Sequence, residues 1–350
     1  MSTVDPVVMT CPAPRAETER VLLGHGSGGQ LMAELLRDVI TPQLGGGGVL
    51  EDAAVVPVGT AQLVFSTDSF VVTPRFFPGG DIGSLAVHGT VNDIAMRGAE
   101  PVALSVAYVL EEGLPIAELR RITASVAAAA TDAGVPVVTG DTKVVERGGA
   151  DGIYLTTTGI GVRVAGVDPS AARCRPGDLV LLSGPIGAHG MAVLSARDDL
   201  GFDSGIVSDS RPLHRLVRAM LEVGGDAVHA LRDPTRGGVA SALNELADAS
   251  AVSIELDEQA LPVPRDVAAA CELLGLDPLH VANEGCLVAM VAPAAADRIL
   301  TAMRDRPDGV AATVIGRVGD GPAGRVTVRT LVGSSRVLDM LVGEQLPRIC

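Results

Sequence analysis

The stretch DIGSLAVHGTVNDIAMRG (Asp81–Gly98) reads as a capped helix that carries polar groups on a largely apolar surface. Asp81 has the short acceptor side chain of an N-cap, Gly98 suits the position just past a helix end, and Pro101 follows. His88 and Asn92 lie four residues apart and share one face, with Asp93 next to them. Val91, Ile94 and Met96 make most of the helix apolar. Asn92 and Asp93 therefore either face solvent or have specific partners.

Upstream, Ala53–Val58 and Leu63–Ser66 read as strands, as does Val49-Leu50; Glu51-Asp52 precedes one and Asp68 follows another. Pro74–Gly80 reads as a loop. Earlier still, Gly24-His25-Gly26-Ser27-Gly28-Gly29-Gln30 enters a helix over Leu31–Ile40. Such a loop, with Gly26 and Gly28, offers backbone N–H groups to a phosphate. It lacks the Lys-Ser/Thr of a P-loop, and a flexible connector is an equal reading. Gly45–Gly48 reads as a loop and residues 1–20 as a disordered N-terminus.

Downstream, Val102–Leu110 reads as a strand and Pro115 opens a helix that closes near Gly134. A strand at Val135–Val138 then runs into Thr139-Gly140-Asp141-Thr142-Lys143. An acid and a base two residues apart after a buried strand suggest metal and phosphate contacts; an ordinary polar turn is the alternative. Ile153–Val164 closes this first unit, 21–165.

A second α/β unit, 172–335, starts at Leu179–Leu182. Helices are expected near Met191–Arg197, Pro212–Val223, Gly237–Ser250 and Val267–Leu274, and strands near Val252–Leu256, Cys286–Val291 and Thr313–Val318. The loop Asp233–Gly238 is placed to bind an anion through Arg236 and helix N-terminal amides. Ala282-Asn283-Glu284-Gly285 puts a carboxylate just before a buried strand.

The bulk numbers exclude several classes. A chain of 350 residues with 47% apolar content supports two globular domains. Its net charge of −15, with 2% aromatic residues and no Trp, disfavours nucleic-acid binding. No apolar run is long enough to span a bilayer and residues 1–20 lack a signal-peptide core, so the chain reads as cytoplasmic. Its five cysteines form no CxxC pair, which argues against zinc and redox-dithiol sites, and Cys271 and Cys286 read as core. The last, Cys350, closes the run GEQLPRIC and lacks the layout for prenylation. From Arg336 a free tail would extend up to roughly 45–50 Å, enough to deliver a tethered thiol into a site elsewhere. Asp52, Asp68, Asp93 and Asp141 all fall near strand or helix ends of the first unit. Brought together they would repel unless cations neutralised them, which with the glycine loops suggests a Mg-nucleotide site; taken singly they are ordinary turn formers.

The runs TDSFVVTPRFFPGGDIG (67–83), VNDIAMRGAEP (91–101), GDTKVV (140–145), DPTRGG (233–238), ANEG (282–285) and PRIC (347–350) resemble the aminoimidazole ribonucleotide synthetase-like ATPases. Within that superfamily, GHGSGG and PRIC resemble the HypE family of hydrogenase maturation proteins. The resemblance spans roughly 20–350. It departs at Ala188 in Gly187-Ala188-His189-Gly190, where an acid is common, which leaves that loop without an assigned role. It implies a two-domain α/β (α+β) protein, a homodimer with a shared β-barrel built from first-domain strands, and a mobile tail over 336–350. It implies ATP and Mg²⁺, the metal on Asp52, Asp68, Asp93 and Asp141. Asn92, Gly140, Gly26, Gly28, Asp233 and Arg236 would join those acids in holding the nucleotide. It further implies that Cys350 takes a carbamoyl group from HypF, is dehydrated to a thiocyanate, and passes cyanide to HypC–HypD. Lys143 would serve charge neutralisation, Glu284 would act as base, and His88 would handle a proton or position a group. A sibling kinase or synthetase acting on a small molecule, and a carrier with a regulatory ATP site, are the alternatives.

Overall fold

A computed structural model of the chain describes residues 20–44, 48–197, 205–343, 346 and 348–350. The expected disorder over 1–19 and the loop over 45–47 lie outside the described residues. The first domain holds α1 (Gln30–Leu35), which continues through a π turn over Leu36–Ile40 into α2 (Thr41–Gln43). It continues with β1 (Ala54–Val58), β2 (Ala61–Phe70), β3 (Phe76–Phe77), β4 (Gly80–Asp81), α3 (Ile82–Met96), β5 (Ala99–Glu111), α4 (Ile116–Ala133), β6 (Val137–Val145) and β7 (Ile153–Arg163). Its main sheet has the order β1-β2-β7-β5-β6. The pairs are antiparallel except β5–β6, which α4 joins as a crossover.

The second domain follows with β8 (Leu179–Leu182), α5 (Ala188–Ser195), α6 (His214–Gly224), β9 (Val228–Arg232), α7 (Gly238–Ala249), β10 (Ser253–Asp257), α8 (Arg265–Leu274), β11 (Val288–Val291), α9 (Pro293–Arg304), β12 (Thr313–Gly319), β13 (Val326–Arg329) and β14 (Ser335–Val337). Its sheet runs β14-β13-β10-β12-β8-β11-β9.

Helix α3 joins the two domains. Asp81 caps it, accepting from Gly83 N at 2.8 Å and Ser84 N at 3.0 Å, while Ser84 Oγ accepts from Asp81 N. This is a reciprocal capping box. The helix is buried on nearly every side, packing on α4 and the first sheet and against α6 and β9 of the second domain. Glu51 reinforces the join. It pairs with Arg97 just past the α3 end at 3.1 Å and accepts from Ser170 Oγ at 2.5 Å.

Several elements differ from the sequence expectation. Val49-Leu50 forms no strand. β2 runs through Asp68, and β6 runs through Gly140, Asp141 and Lys143, which are strand residues and not a turn. In β6 the pairing with β5 fixes an extended backbone, Ala107 opposite Asp141 and Val109 opposite Lys143. Its polar side chains are tolerated because β6 is an edge strand. The tail starts later than 336: β14 pairs with β13, and Leu338 is buried in the second-domain core. No helix among the described residues is long and apolar enough to cross a membrane.

Asp81→Ala removes the α3 cap and is expected to lower unfolding stability by about 1–2 kcal/mol. Urea denaturation followed by circular dichroism checks it; an unchanged midpoint would show that α3 is held by packing alone.

Candidate active site

Asp52 precedes β1, Asp93 lies in the last turns of α3, and Asp233 follows β9. The fold brings one carboxylate oxygen from each within 4.8 Å of the others. Asp233 is buried, and its Oδ2 has no hydrogen-bond partner. Asp93 accepts from Ser66 Oγ at 2.6 Å, and Asp52 pairs with the buried Arg232, which also holds Glu245. Burial pushes all three carboxyls above their ordinary range; the negative charges of their neighbours add to it, and Arg232 opposes it at Asp52 and Asp233. Asp68 on β2 is raised by burial and lowered by Arg236, and its charge is felt at Asp93 and Asp233. An all-oxygen donor set with excess negative charge and one orphaned oxygen fits a hard divalent cation such as Mg²⁺.

The glycine-rich loop meets the Asp233–Gly238 loop beside this cluster. Arg236 donates to Gly26 O at 3.1 Å. Gly28 has φ +74°, and a Cβ there would lie 2.7 Å from both Arg236 Cβ and Arg236 O, so only glycine allows the two loops to close. Cys350 lies near the same Arg236, whose guanidinium pKa is raised by negative charge on that sulfur. The thiol itself is pushed up to about 12, first by burial and then, against Arg236, by Glu284, Asp68 and Asp233. Glu284 is buried just before β11 and is held well above the ordinary carboxylate range by burial and by Asp233, Asp68 and Asp209. Its loop is fixed by Asp209, which accepts from Glu284 N at 3.1 Å and Gly285 N at 3.0 Å.

Not every expected residue joins this group. Asn92 spends both ends of its amide on the second domain: it donates to Arg211 O at 3.1 Å and accepts from Leu213 N at 2.7 Å. His88 bonds Ser210 Oγ at 2.9 Å, and burial brings its pKa down to about 4, so the ring is neutral near pH 7. Both residues clamp α3 to the 209–213 segment. Asp141 and Lys143 are exposed and paired with each other on β6, which β7 and β5 separate from Asp68 on β2. Three strand spacings amount to roughly 14 Å, so one chain does not gather Asp141 with the other acids. Gly140 fits β6 tightly, since a Cβ would sit 2.2 Å from Val106 O. Sequence reasoning assigned Asp233 to the nucleotide and not to the metal, and it missed Arg232 and Asp209. Asp209 acts on backbone amides of a distant loop and leaves no sequence signal.

The N-terminal domain of AIR synthase related proteins matches residues 50–163, and their C-terminal domain matches 175–329. The chain is therefore an AIR synthase-related protein. A carbamoyl dehydratase HypE from Cupriavidus necator is 53% identical over 335 residues, 95% of each chain. The crystal structure of a hydrogenase maturation protein HypE in complex with ATP superposes with a TM-score of 0.79 at 46% identity, covering 95% of this chain and 100% of the other. That of a HypE–HypF complex gives 0.83 at 46%, covering 88% and 99%. The chain belongs to the HypE family.

Because the cluster carboxyls titrate above their unfolded range, the metal-free fold gains stability from their protonation at low pH and loses it as pH rises through the raised pKa values. Mg²⁺ binding near pH 7 is then expected to release protons, read with an indicator dye in weak buffer. Asp233→Asn should weaken Mg²⁺ binding at least tenfold and reduce the release; cation uptake without proton release would mean the acids are already ionised.

Proposed function

We propose that the chain is an ATP-dependent carbamoyl dehydratase acting on its own Cys350 in hydrogenase maturation. The observation that carries this reading is the seat of Cys350, next to Arg236 and within the field of Glu284, Asp68 and Asp233. The names of its relatives support it: a carbamoyl dehydratase, and a HypE crystallised with ATP.

The chemistry follows from the leaving group. In an S-carboxamide the amide oxygen cannot depart as oxide. Transfer of the ATP γ-phosphoryl group to that oxygen gives ADP and a phosphorylated imidate. Loss of the N–H protons and cleavage of the C–O bond then release phosphate and leave S–C≡N. The chain must hold the phosphates, accept protons and exclude water. The two glycine-bearing loops and Arg236 suit the first task. Glu284, a buried carboxyl whose field reaches Cys350, suits the second. Asp52, Asp93 and Asp233, with Asp68 close by, would hold Mg²⁺, which when bound supplies charge neutralisation at the phosphates.

A homodimer suits the first-domain sheet. β6 is an edge strand exposing Val138 and Val144, and the sheet also exposes Phe65 and Val162. A second copy on this face would cover them and offer Asp141 and Lys143 to a neighbouring site as a shared barrel. The crystal structure of a HypE–HypF complex supports HypF as a partner, to which we assign the role of carbamoyl donor. HypC–HypD is the acceptor we assign to the cyanide, and the cytoplasm the compartment.

Intact mass of the carbamoylated protein is expected to fall by one water on adding ATP and Mg²⁺. Cys350→Ala should keep nucleotide binding and form no product; product from that variant would sink the reading. Glu284→Gln should slow conversion roughly 10²–10⁴-fold and change ATP affinity far less, checked by single-turnover mass measurements. An unchanged rate would remove Glu284 as the base.

A further inference from the structure

The loop Gly187–Gly190, left without a role by the sequence, faces the end of the chain. Residues 348–350 lie along the segment after β2: Val71 N donates to Cys350 O at 3.1 Å and Thr73 N to Arg348 O at 3.1 Å. Arg348 donates back to Val71 O at 2.9 Å and pairs with Asp151. These contacts involve main chain or the surface and would let neighbouring registers form. His189, at the start of α5, is different. It is fully buried, its ring meets Phe77 edge-on at 5.4 Å, and its Nε2 lies 3.0 Å from Ile349 O. A carbonyl only accepts, so Nε2 carries the proton. Nδ1, 2.9 Å from Ser208 Oγ, then accepts from that hydroxyl, and Ser208 Oγ in turn accepts from Ser210 N at 3.1 Å. Burial lowers the ring pKa, which keeps this tautomer neutral. Ile349 is itself buried, in the same apolar cluster as Val193 of α5.

We propose that His189, fixed as its Nε2–H tautomer by Ser208, is a positioning residue that reads the peptide just before Cys350 and sets how far the sulfur enters the cleft. The Ser208–His189–Ile349 relay runs from the partly buried 208–210 segment to the peptide before Cys350. A tail shifted by one residue turns its carbonyl away from Nε2 and leaves a buried donor unpaired, which disfavours the wrong register. The consequence for catalysis rests on the dehydratase reading; the docking itself does not.

The test is the alkylation rate of Cys350 by iodoacetamide in the full chain, resolved from Cys11 by peptide mass. Wild type is expected to be protected. His189→Phe should raise the rate about tenfold, and His189→Gln, which keeps a donor of similar reach, should restore most of the protection. Equal rates in wild type and a folded His189→Phe overturn the proposal. Should His189→Phe fail to fold, Ser208→Ala decides: about threefold faster labelling supports the relay, and an unchanged rate overturns it. Carbamoylated His189→Phe should also lose at least tenfold in dehydration rate with ATP affinity within twofold. A protected thiol in a chain that never loses water would refute the dehydratase reading and leave the docking intact.

Discussion

Asp52, Asp93 and Asp233 are held with carboxylate oxygens inside 4.8 Å, each from a different part of the chain. Two unit charges 4 Å apart in a medium of effective dielectric 20 repel by about 4 kcal/mol. Separate segments do not meet this way unprompted; the domain interface forces them together. Asp52–Arg232, Asn92 with the 211–213 backbone, and His88–Ser210 all bridge the two units, most of them on α3. The polar groups of the central helix thus divide the work. Asn92 and His88 hold the interface shut, and Asp93 faces the concentrated charge that the closure creates.

That division explains what the sequence disclosed. The ends of α3 were legible because cap chemistry is local: Asp81 and Ser84 satisfy each other's backbone, and Gly98 takes φ +67° beyond the helix. Polar residues on an apolar helix pointed to partners, but not to which partners. Asn92 proved to bond main-chain groups more than a hundred residues away, for which a sequence offers no cue. Strand order was likewise invisible: Asp68 and Asp141 are equivalent as acids on strands, yet β7 and β5 stand between them. β9 went unread because His229 and Arg232 interrupt its apolar pattern. Both are buried with tertiary acid partners, Asp178 at 2.8 Å and Asp52, so their polarity belongs to pairing and not to exposure.

The tail shows a different limit. Position reads Cys350 as a nucleophile on a free arm, whereas residues 348–350 are docked along the segment after β2. What sequence could not supply is the receptor. Val71, Thr73 and His189 grip backbone, and backbone recognition writes nothing into either partner's side chains.

Asp233, one of the three acids that call for a cation, also acts with Glu284 and Asp68 on the sulfur of Cys350. Burial first, and then Glu284, Asp68 and Asp233 against the opposing Arg236, push the thiol up to about 12. A neutral thioester-like S-carbamoyl group carries no thiolate charge and meets none of that repulsion. On the dehydratase reading, the burial that makes the docked thiol a poor nucleophile does not penalise the uncharged modified sulfur. On that reading, the modified sulfur is therefore a neutral group held by the peptide before it. The pocket's charge remains free to act on the phosphoryl group and the departing protons.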